Sequence, residues 1–157
     1  MTETVTGAPA PEGAAVTTLA RKVAVDDVAA NRRRGGDVRV QLSPVTVQST
    51  SGFGGTLTLP PGDYICEHIH PYSEEFVYVV RGTVMMRIGT EYIELGPGDA
   101  LMVPIGVRHR VENRGTEDVT AVFHLSPLAP RPDLGHIDTE SRADRAHEPA
   151  TTLGRTR

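Results

Sequence analysis

The stretch EHIHPYSEEFVYVVRG, residues 67–82, carries histidine and glutamate side chains at spacings that suit metal chemistry. His68 and His70 are separated by one residue, so on an extended strand both imidazoles point to the same side and can bind one cation. Two adjacent carboxylates follow, Glu74 and Glu75, and either can complete a site. Taken alone, such a histidine pair is more often a pair of solvent-exposed side chains on an edge strand.

Other reactive side chains share this predicted strand, residues 64–70. Strict alternation places Tyr64 and Cys66 on the same face as the two histidines. We expect Tyr64 to donate a proton or a hydrogen bond to a substrate, and Cys66 to pack as a small apolar residue rather than to bind metal. Cys66 is the only cysteine, so no intrachain disulfide can form.

Short runs of β-forming residues, separated by Pro-, Gly- and Asn-containing turns, fill the middle of the chain. This pattern predicts an all-β sandwich or barrel, and only residues 23–33 resemble a helix. The run 38–47 predicts one or two strands, broken at Pro44. The other predicted strands span residues 55–59, 64–70, 75–81, 83–88, 91–95, 100–103, 109–112 and 119–125.

Composition limits the classes of protein to which the chain can belong. Its 157 residues predict one domain at residues 19–140, between a disordered arm at 1–18 and a flexible tail at 141–157. The net charge of −4 argues against a nucleic-acid partner. No signal peptide and no apolar run long enough for a bilayer are present, which predicts a cytoplasmic protein without a membrane partner. The basic run Arg32–Arg34 predicts a solvated loop or helix end, or a contact with an acidic partner.

The histidine pair falls within two motifs that resemble those of the cupin family. The first family motif is G-x5-H-x-H-x3,4-E-x6-G, and the chain matches its fixed positions with Gly62, His68, His70, Glu75 and Gly82. The second is G-x5-P-x-G-x2-H-x3-N, and the stretch GDALMVPIGVRHRVEN matches it with Gly98, Pro104, Gly106, His109 and Asn113.

The cupin resemblance implies a single-domain double-stranded β-helix, a jelly-roll barrel, with one divalent metal ion in its lumen. It carries four ligands onto this chain: His68, His70, Glu75 and His109. Three imidazoles and a carboxylate suit Zn, and also Fe, Ni, Mn or Co, and leave positions open for substrate or water. The family spacing to Gly82 selects Glu75 over Glu74.

Three further histidines lie outside the motifs. His124 ends the last predicted strand, and it is either a further catalytic or metal-contacting residue or a structural histidine. We expect His136 and His147 to be peripheral.

Flanking stretches narrow the resemblance within the cupins. AANRRRGGDVRVQLSP, TSGFGG and FHLSPLAPRPDLGH are similar to segments of small cupins from bacterial aromatic polyketide pathways, over about residues 20–138. That group includes polyketide cyclases of the tetracenomycin and resistomycin type and cupins of spore-pigment clusters. The resemblance implies a homodimer and a polyketide substrate, either free or bound to a carrier protein.

The activity implied is that of a metal-dependent polyketide cyclase or aromatase. Such a protein folds a poly-β-ketone and promotes aldol-type ring closure with loss of water. His68, His70 and His109 would hold a Lewis-acidic cation against one carbonyl, while the lumen restricts which carbons meet.

Two alternatives stay open at this point. The first is a cupin oxygenase, in which the same ligands hold Fe for hydroxylation or quinone formation. The second is a non-catalytic accessory subunit of a polyketide synthase complex, in which the metal is structural.

Overall fold

A computed structural model describes residues 20–149, which form two antiparallel β-sheets of five strands each. A short helix, α1, spans Pro44–Val47, and 3-10 turns span Val25–Asp27, Pro132–Leu134 and Ala143–Arg145. The strands are β1 (Asp37–Leu42), β2 (Phe53–Leu59), β3 (Tyr64–Ile69), β4 (Glu74–Arg81), β5 (Val84–Ile88), β6 (Glu91–Leu95), β7 (Ala100–Val103), β8 (His109–Glu112), β9 (Val119–Ser126) and β10 (Ile137–Asp138).

Neighbouring strands in each sheet come from distant parts of the chain. The first sheet has the order β1-β2-β9-β4-β7 and the second has the order β10-β3-β8-β5-β6. From β2 onward the chain passes repeatedly from one sheet to the other, which is the path of a double-stranded β-helix. The predicted all-β jelly roll is therefore confirmed.

The core lies between the two sheets and is built by alternation along the strands. In β9, Val119, Ala121, Phe123 and Leu125 point inward and are buried, whereas Val122 and His124 point outward and are exposed. Leu59 and Val79 are fully buried in the same core. Full burial of such a side chain contributes roughly 1.5–3 kcal/mol to stability.

The prediction of strand for residues 38–47 is wrong at its end, because Pro44–Val47 is a helical turn. The Ser43 hydroxyl accepts hydrogen bonds from the N–H groups of Val45 and Thr46, and the Thr46 hydroxyl accepts one from the Ser43 N–H. This reciprocal cap starts a helix, and a proline at the first helical position has no N–H to leave unsatisfied.

The candidate helix at residues 23–33 is also wrong, since it contains only the 3-10 turn Val25–Asp27. Farther along, Asn31 forms an antiparallel bridge with Val38 through two backbone hydrogen bonds of 2.8 and 3.0 Å. The segment therefore approaches β1 as extended chain.

Residues 141–149, the described part of the expected tail, contact the barrel. Arg142 donates to the Asp63 carboxylate and, at 3.0 Å, to the Tyr64 carbonyl. The expected disordered arm at residues 1–18 lies outside the described residues, and the predicted domain limits stay a prediction. Within residues 20–149, no helix has the length and apolar character that a bilayer crossing requires.

Candidate metal centre

Four side chains from three strands and one loop converge inside the barrel. His68 of β3 lies directly opposite His109 of β8, with ring centroids 4.2 Å apart. His70 follows the end of β3, and Glu75 is the second residue of β4. One ligand atom from each of the four lies within 4.8 Å of the others, and all three histidines are buried. The structure thus brings together all four residues of the expected metal site.

A β-bulge in β3 aims His68 inward. The ladder with β8 pairs Ile65 with Val111 and His68 with His109, so its register shifts by one residue between the two pairs. An extra residue in one strand reverses the alternation beyond it. Ile65 and His68 consequently both face the barrel interior, although they are three residues apart.

Backbone carbonyls hold the three imidazoles in one tautomer. The Nδ1 atoms of His68, His70 and His109 lie 2.7, 3.1 and 2.9 Å from the carbonyl oxygens of Cys66, Gly135 and Val107. A carbonyl oxygen can only accept, so each Nδ1 carries a proton, and in the neutral ring the Nε2 lone pair is directed at the cluster. This arrangement is typical of metal-binding histidines, whose second nitrogen is fixed by an outer partner.

Electrostatics keep the carboxylate of the cluster ionised. Burial opposes ionisation of Glu75, but the contacts of its carboxylate with His109 and His70 outweigh burial and hold the pKa of Glu75 well below its usual value. These contacts are made by the Nε2 nitrogens, which donate to Glu75 only when the ring also carries a proton at Nε2, in the place that a cation would take. Burial, helped by the neighbouring His109 and His136, lowers the pKa of His68 well below its ordinary value. An ionised carboxylate and a neutral imidazole are the forms that bind a cation.

The spacing of the donor atoms fits one ion. Two ligands on opposite sides of a cation, each about 2.1 Å from it, are about 4.2 Å apart. A spread of 4.8 Å among four donor atoms therefore needs only small side-chain shifts to form one coordination sphere. The nitrogen-rich donor set suits Zn and its transition-metal neighbours better than Mg or Ca.

A cavity of about 850 Å³ opens onto this cluster. His68, His70 and Glu75 border it, and the remaining wall is mainly apolar. A volume of this size is in the range of small-molecule sites. Side chains from both sheets form the wall, among them Val40, Leu57, Ile65, Val77, Val111 and Phe123.

The bulge keeps Tyr64 out of the cavity wall, contrary to the alternation expected from the sequence. Its ring lies between two guanidinium groups, with Arg110 Cζ 3.7 Å and Arg142 Cζ 4.1 Å from the ring centroid. This is a structural cation–π contact, and it leaves Tyr64 without access to a substrate beside the cluster.

His124 and Cys66 also lie outside the cluster. The exposed His124 side chain is on the outer face of β9, opposite Gly54 of β2 and Phe76 of β4. Inward and outward positions alternate strictly along β9, so the structure favours neither a catalytic nor a metal-contacting role for His124. Cys66 is buried in a separate cavity of about 200 Å³, where burial raises the pKa of its thiol.

His136 is the site residue that the sequence interpretation missed, since it was expected to be peripheral. Its ring stacks on His68 with centroids 4.4 Å apart and planes 13° from parallel, and it borders the cavity. Burial lowers the pKa of His136 to about 4, although a hydrogen bond to Asp138 opposes the shift. Neither cupin motif includes His136, and the short strand β10 that follows it carries no sequence signal of its own. The signal that could have found it is the stretch FHLSPLAPRPDLGH of the narrower resemblance, which ends at His136.

The jelly-roll fold and its four-ligand cluster define the class of protein. A family model for the cupin domain matches residues 55–125, and the chain belongs to the cupin family. The fold is shared with a solved conserved protein with a double-stranded β-helix domain from Klebsiella pneumoniae. That similarity has a TM-score of 0.60 at 22% identity, and it covers 78% of this chain and 99% of the other.

Within the cupins, the chain is similar to proteins that are named for polyketide synthases, in agreement with the narrower resemblance. The chain is 54% identical to polyketide synthase CurC of Streptomyces cyaneus over 78% of this chain and 80% of the relative. It is 44% identical to tetracenomycin polyketide synthase protein TcmJ of Streptomyces glaucescens over 91% of this chain and 96% of the relative.

Proposed function

We propose that this protein is a metal-dependent cyclase of aromatic polyketide biosynthesis. Its reaction joins a methylene carbon of a poly-β-ketone to a carbonyl carbon farther along the chain and then releases water. The observation that carries the proposal is the cluster of His68, His70, Glu75 and His109, of which the first three border a large, mainly apolar cavity.

A divalent cation held by these four side chains supplies Lewis acidity, which makes the methylene hydrogens beside a bound carbonyl more acidic. Backbone carbonyl oxygens hold the imidazoles of His68, His70 and His109 in place. The three rings thereby fix the position at which the substrate carbonyl would bind. We propose Zn as the cation, because the reaction moves no electrons between substrate and metal.

The apolar wall selects which carbons meet. Leu57, Val77 and Phe123 exclude water and press a flexible chain into a compact fold, which raises the effective concentration of the reacting carbons. The cavity is large enough for a multi-ring product, which a site for a small acid would not require.

Reconstitution with a minimal aromatic polyketide synthase tests this proposal. The Zn-loaded protein is added without oxygen, and the products are identified by mass spectrometry and NMR. We expect one cyclised product with the protein present, and a mixture of spontaneous products when it is absent or replaced by His68→Ala or His109→Ala. The exposed His124→Ala variant is the matched control and is expected to behave as the wild type.

Two results would replace the proposal by an alternative. A requirement for Fe and oxygen identifies an oxygenase. Folded, metal-free His68→Ala and His109→Ala variants that still direct correct cyclisation identify an accessory subunit of the synthase.

The proposal also includes the formation of a homodimer and the delivery of the substrate by a carrier protein. A homodimer is supported by the exposed side chains of Tyr78, Val80, Met102 and Val122 on the first sheet. Delivery by an acidic carrier protein is supported by Arg33 at the cavity edge, whose guanidinium group donates to the Glu148 carbonyl oxygen at 2.9 Å. A cytoplasmic location stays a prediction.

A further inference from the structure

The short strand β10 places a fourth imidazole beside the metal-ligand cluster. β10 pairs with β3, with Ile137 opposite Ile69 and Asp138 opposite His68. His136 directly precedes β10, so its ring lies parallel to that of His68 and 5.1 Å from that of His70, measured between centroids. The imidazole borders the cavity but is not one of the four clustered ligands.

A carboxylate and an arginine fix the orientation of this imidazole. His136 Nε2 donates to Asp138 Oδ1 at 2.9 Å. Arg34 donates to the same carboxylate through Nε at 2.5 Å and Nη2 at 3.0 Å. An ionised carboxylate can only accept, so Nε2 carries the proton and Nδ1 of the neutral ring is an acceptor. Within the described residues, Nδ1 has no hydrogen-bond partner.

We propose that His136 is a specificity-determining residue whose Nδ1 accepts a hydrogen bond from a hydroxyl group of the bound substrate. The expected donor is an enolised ketone or a phenol, the two hydroxyl types that a poly-β-ketone and its aromatic products carry. Identification of the substrate as a polyketide rests on the proposed function, whereas selection of a hydroxylated ring does not.

The apolar cavity makes such an acceptor selective. A polar atom that loses water without gaining a partner is costly in an apolar site. A ligand with a hydroxyl group donates a hydrogen bond to Nδ1 of His136, and a ligand of similar shape without a hydroxyl proton leaves Nδ1 without a partner. Arg34 and Asp138 hold the ring in advance of binding, so little orientational freedom is lost when the hydroxyl arrives.

Two probes of similar shape test this hydrogen bond. Naphthoresorcinol carries two phenolic hydroxyls, and its dimethyl ether carries none. Calorimetric titration of the Zn-loaded wild type is expected to show a preference of about tenfold for naphthoresorcinol. His136→Phe keeps a flat ring against His68 but removes both nitrogens, so the ratio of the two affinities is expected to fall close to one. Zn content is expected to stay at the wild-type value.

The same titration on metal-free protein separates the imidazole from the cation, because a phenol can also bind Zn directly. The preference for naphthoresorcinol over its dimethyl ether is expected to persist without Zn. Asp138→Asn is expected to weaken this preference, because it removes one of the two oxygen acceptors that hold His136 and Arg34. His147→Phe, which changes an exposed histidine, is the control and is expected to keep the wild-type ratio.

A wild type that binds both probes equally, or a His136→Phe variant that keeps the preference, overturns the inference. Neither result bears on whether the protein cyclises a polyketide. Conversely, a hydroxyl preference that His136→Phe abolishes stands even if the reconstituted synthase needs no cyclase.

Discussion

One oxygen of Glu75 bridges two histidines of the cluster. Glu75 Oε2 lies 2.8 Å from His109 Nε2 and 3.2 Å from His70 Nε2, so a single carboxylate oxygen faces both donor nitrogens. The preceding Glu74 is exposed on the outer side of the same strand. Adjacent carboxylates therefore occupy opposite environments.

Glu75→Gln is expected to reduce Zn affinity strongly, whereas Glu74→Gln is expected to leave it unchanged. Removal of a group that only hydrogen-bonds to a metal-binding side chain already costs about 10–100-fold in metal affinity. Removal of the negative charge of Glu75, which would bind the metal directly, is expected to cost more. Zn content after dialysis against a weak chelator measures the difference. Equal Zn retention by the two folded variants would remove Glu75 from the metal site.

Ala121→Phe is expected to block the cavity without removing the metal. Ala121 points inward from β9 and borders the cavity, so a phenyl ring there occupies the space of a substrate. Titration with naphthoresorcinol is expected to show no binding, with Zn content unchanged. The control is Val122→Phe, which adds a ring on the outer face of the same strand. Equal binding by both variants would show that ligands bind elsewhere.

Asp63 is expected to anchor the C-terminal segment to the barrel. Its carboxylate accepts from Arg142, from Arg145 at 3.2 Å and from the backbone N–H groups of Gly36 and Tyr64 at 3.0 and 2.8 Å. Asp63→Ala leaves the largely buried Arg142 side chain with only the Tyr64 carbonyl and Asp144 as hydrogen-bond partners among the described residues, and we expect a loss of about 3 kcal/mol in the free energy of unfolding. Asp144→Ala, which removes an exposed partner of Arg142, is expected to cost less; urea denaturation measures both.

The same carboxylate is expected to contribute to acid sensitivity. Burial opposes its ionisation, but hydrogen bonds from Arg142, Tyr64 and Gly36 lower the pKa of Asp63 below the ordinary value. Its contribution to stability is therefore complete above the unfolded-state pKa of about 3.9 and is lost as pH falls through the lower folded-state pKa. Urea denaturation over roughly three pH units on the acid side of neutrality is expected to show a shallower fall in unfolding free energy for Asp63→Asn than for the wild type. An identical fall in both proteins would contradict this assignment.

The two glycines of the first motif are expected to differ in how much stability they contribute. Gly62 and Gly82 both have positive φ, +77° and +74°. An added Cβ at Gly62 meets nothing within 4 Å, whereas at Gly82 it would lie 2.6 Å from the Asp118 carbonyl oxygen. Gly62→Ala is expected to cost about 1–2 kcal/mol in unfolding free energy from backbone strain alone. Gly82→Ala is expected to cost more, and equal losses in urea denaturation would argue against the close contact.

The sequence by itself determined the all-β class, the cupin family and the four residues of the candidate metal cluster. Turn residues and alternation mark strands locally. The choice of Glu75 over Glu74 came from the resemblance, since only Glu75 has the spacing to Gly82 that the cupin motif requires. His109 is distant in the chain, and the second motif was needed to include it.

Only the tertiary structure decided which neighbours share the site. A one-residue bulge between Ile65 and His68 reverses the alternation that had placed Tyr64 beside the histidines. The pairing of β10 with β3 brings His136 onto His68 from a segment with no apolar period. A bulge depends on how two strands pair, and β10 is two residues long, so both arise from contacts between distant segments and leave no local pattern in the sequence.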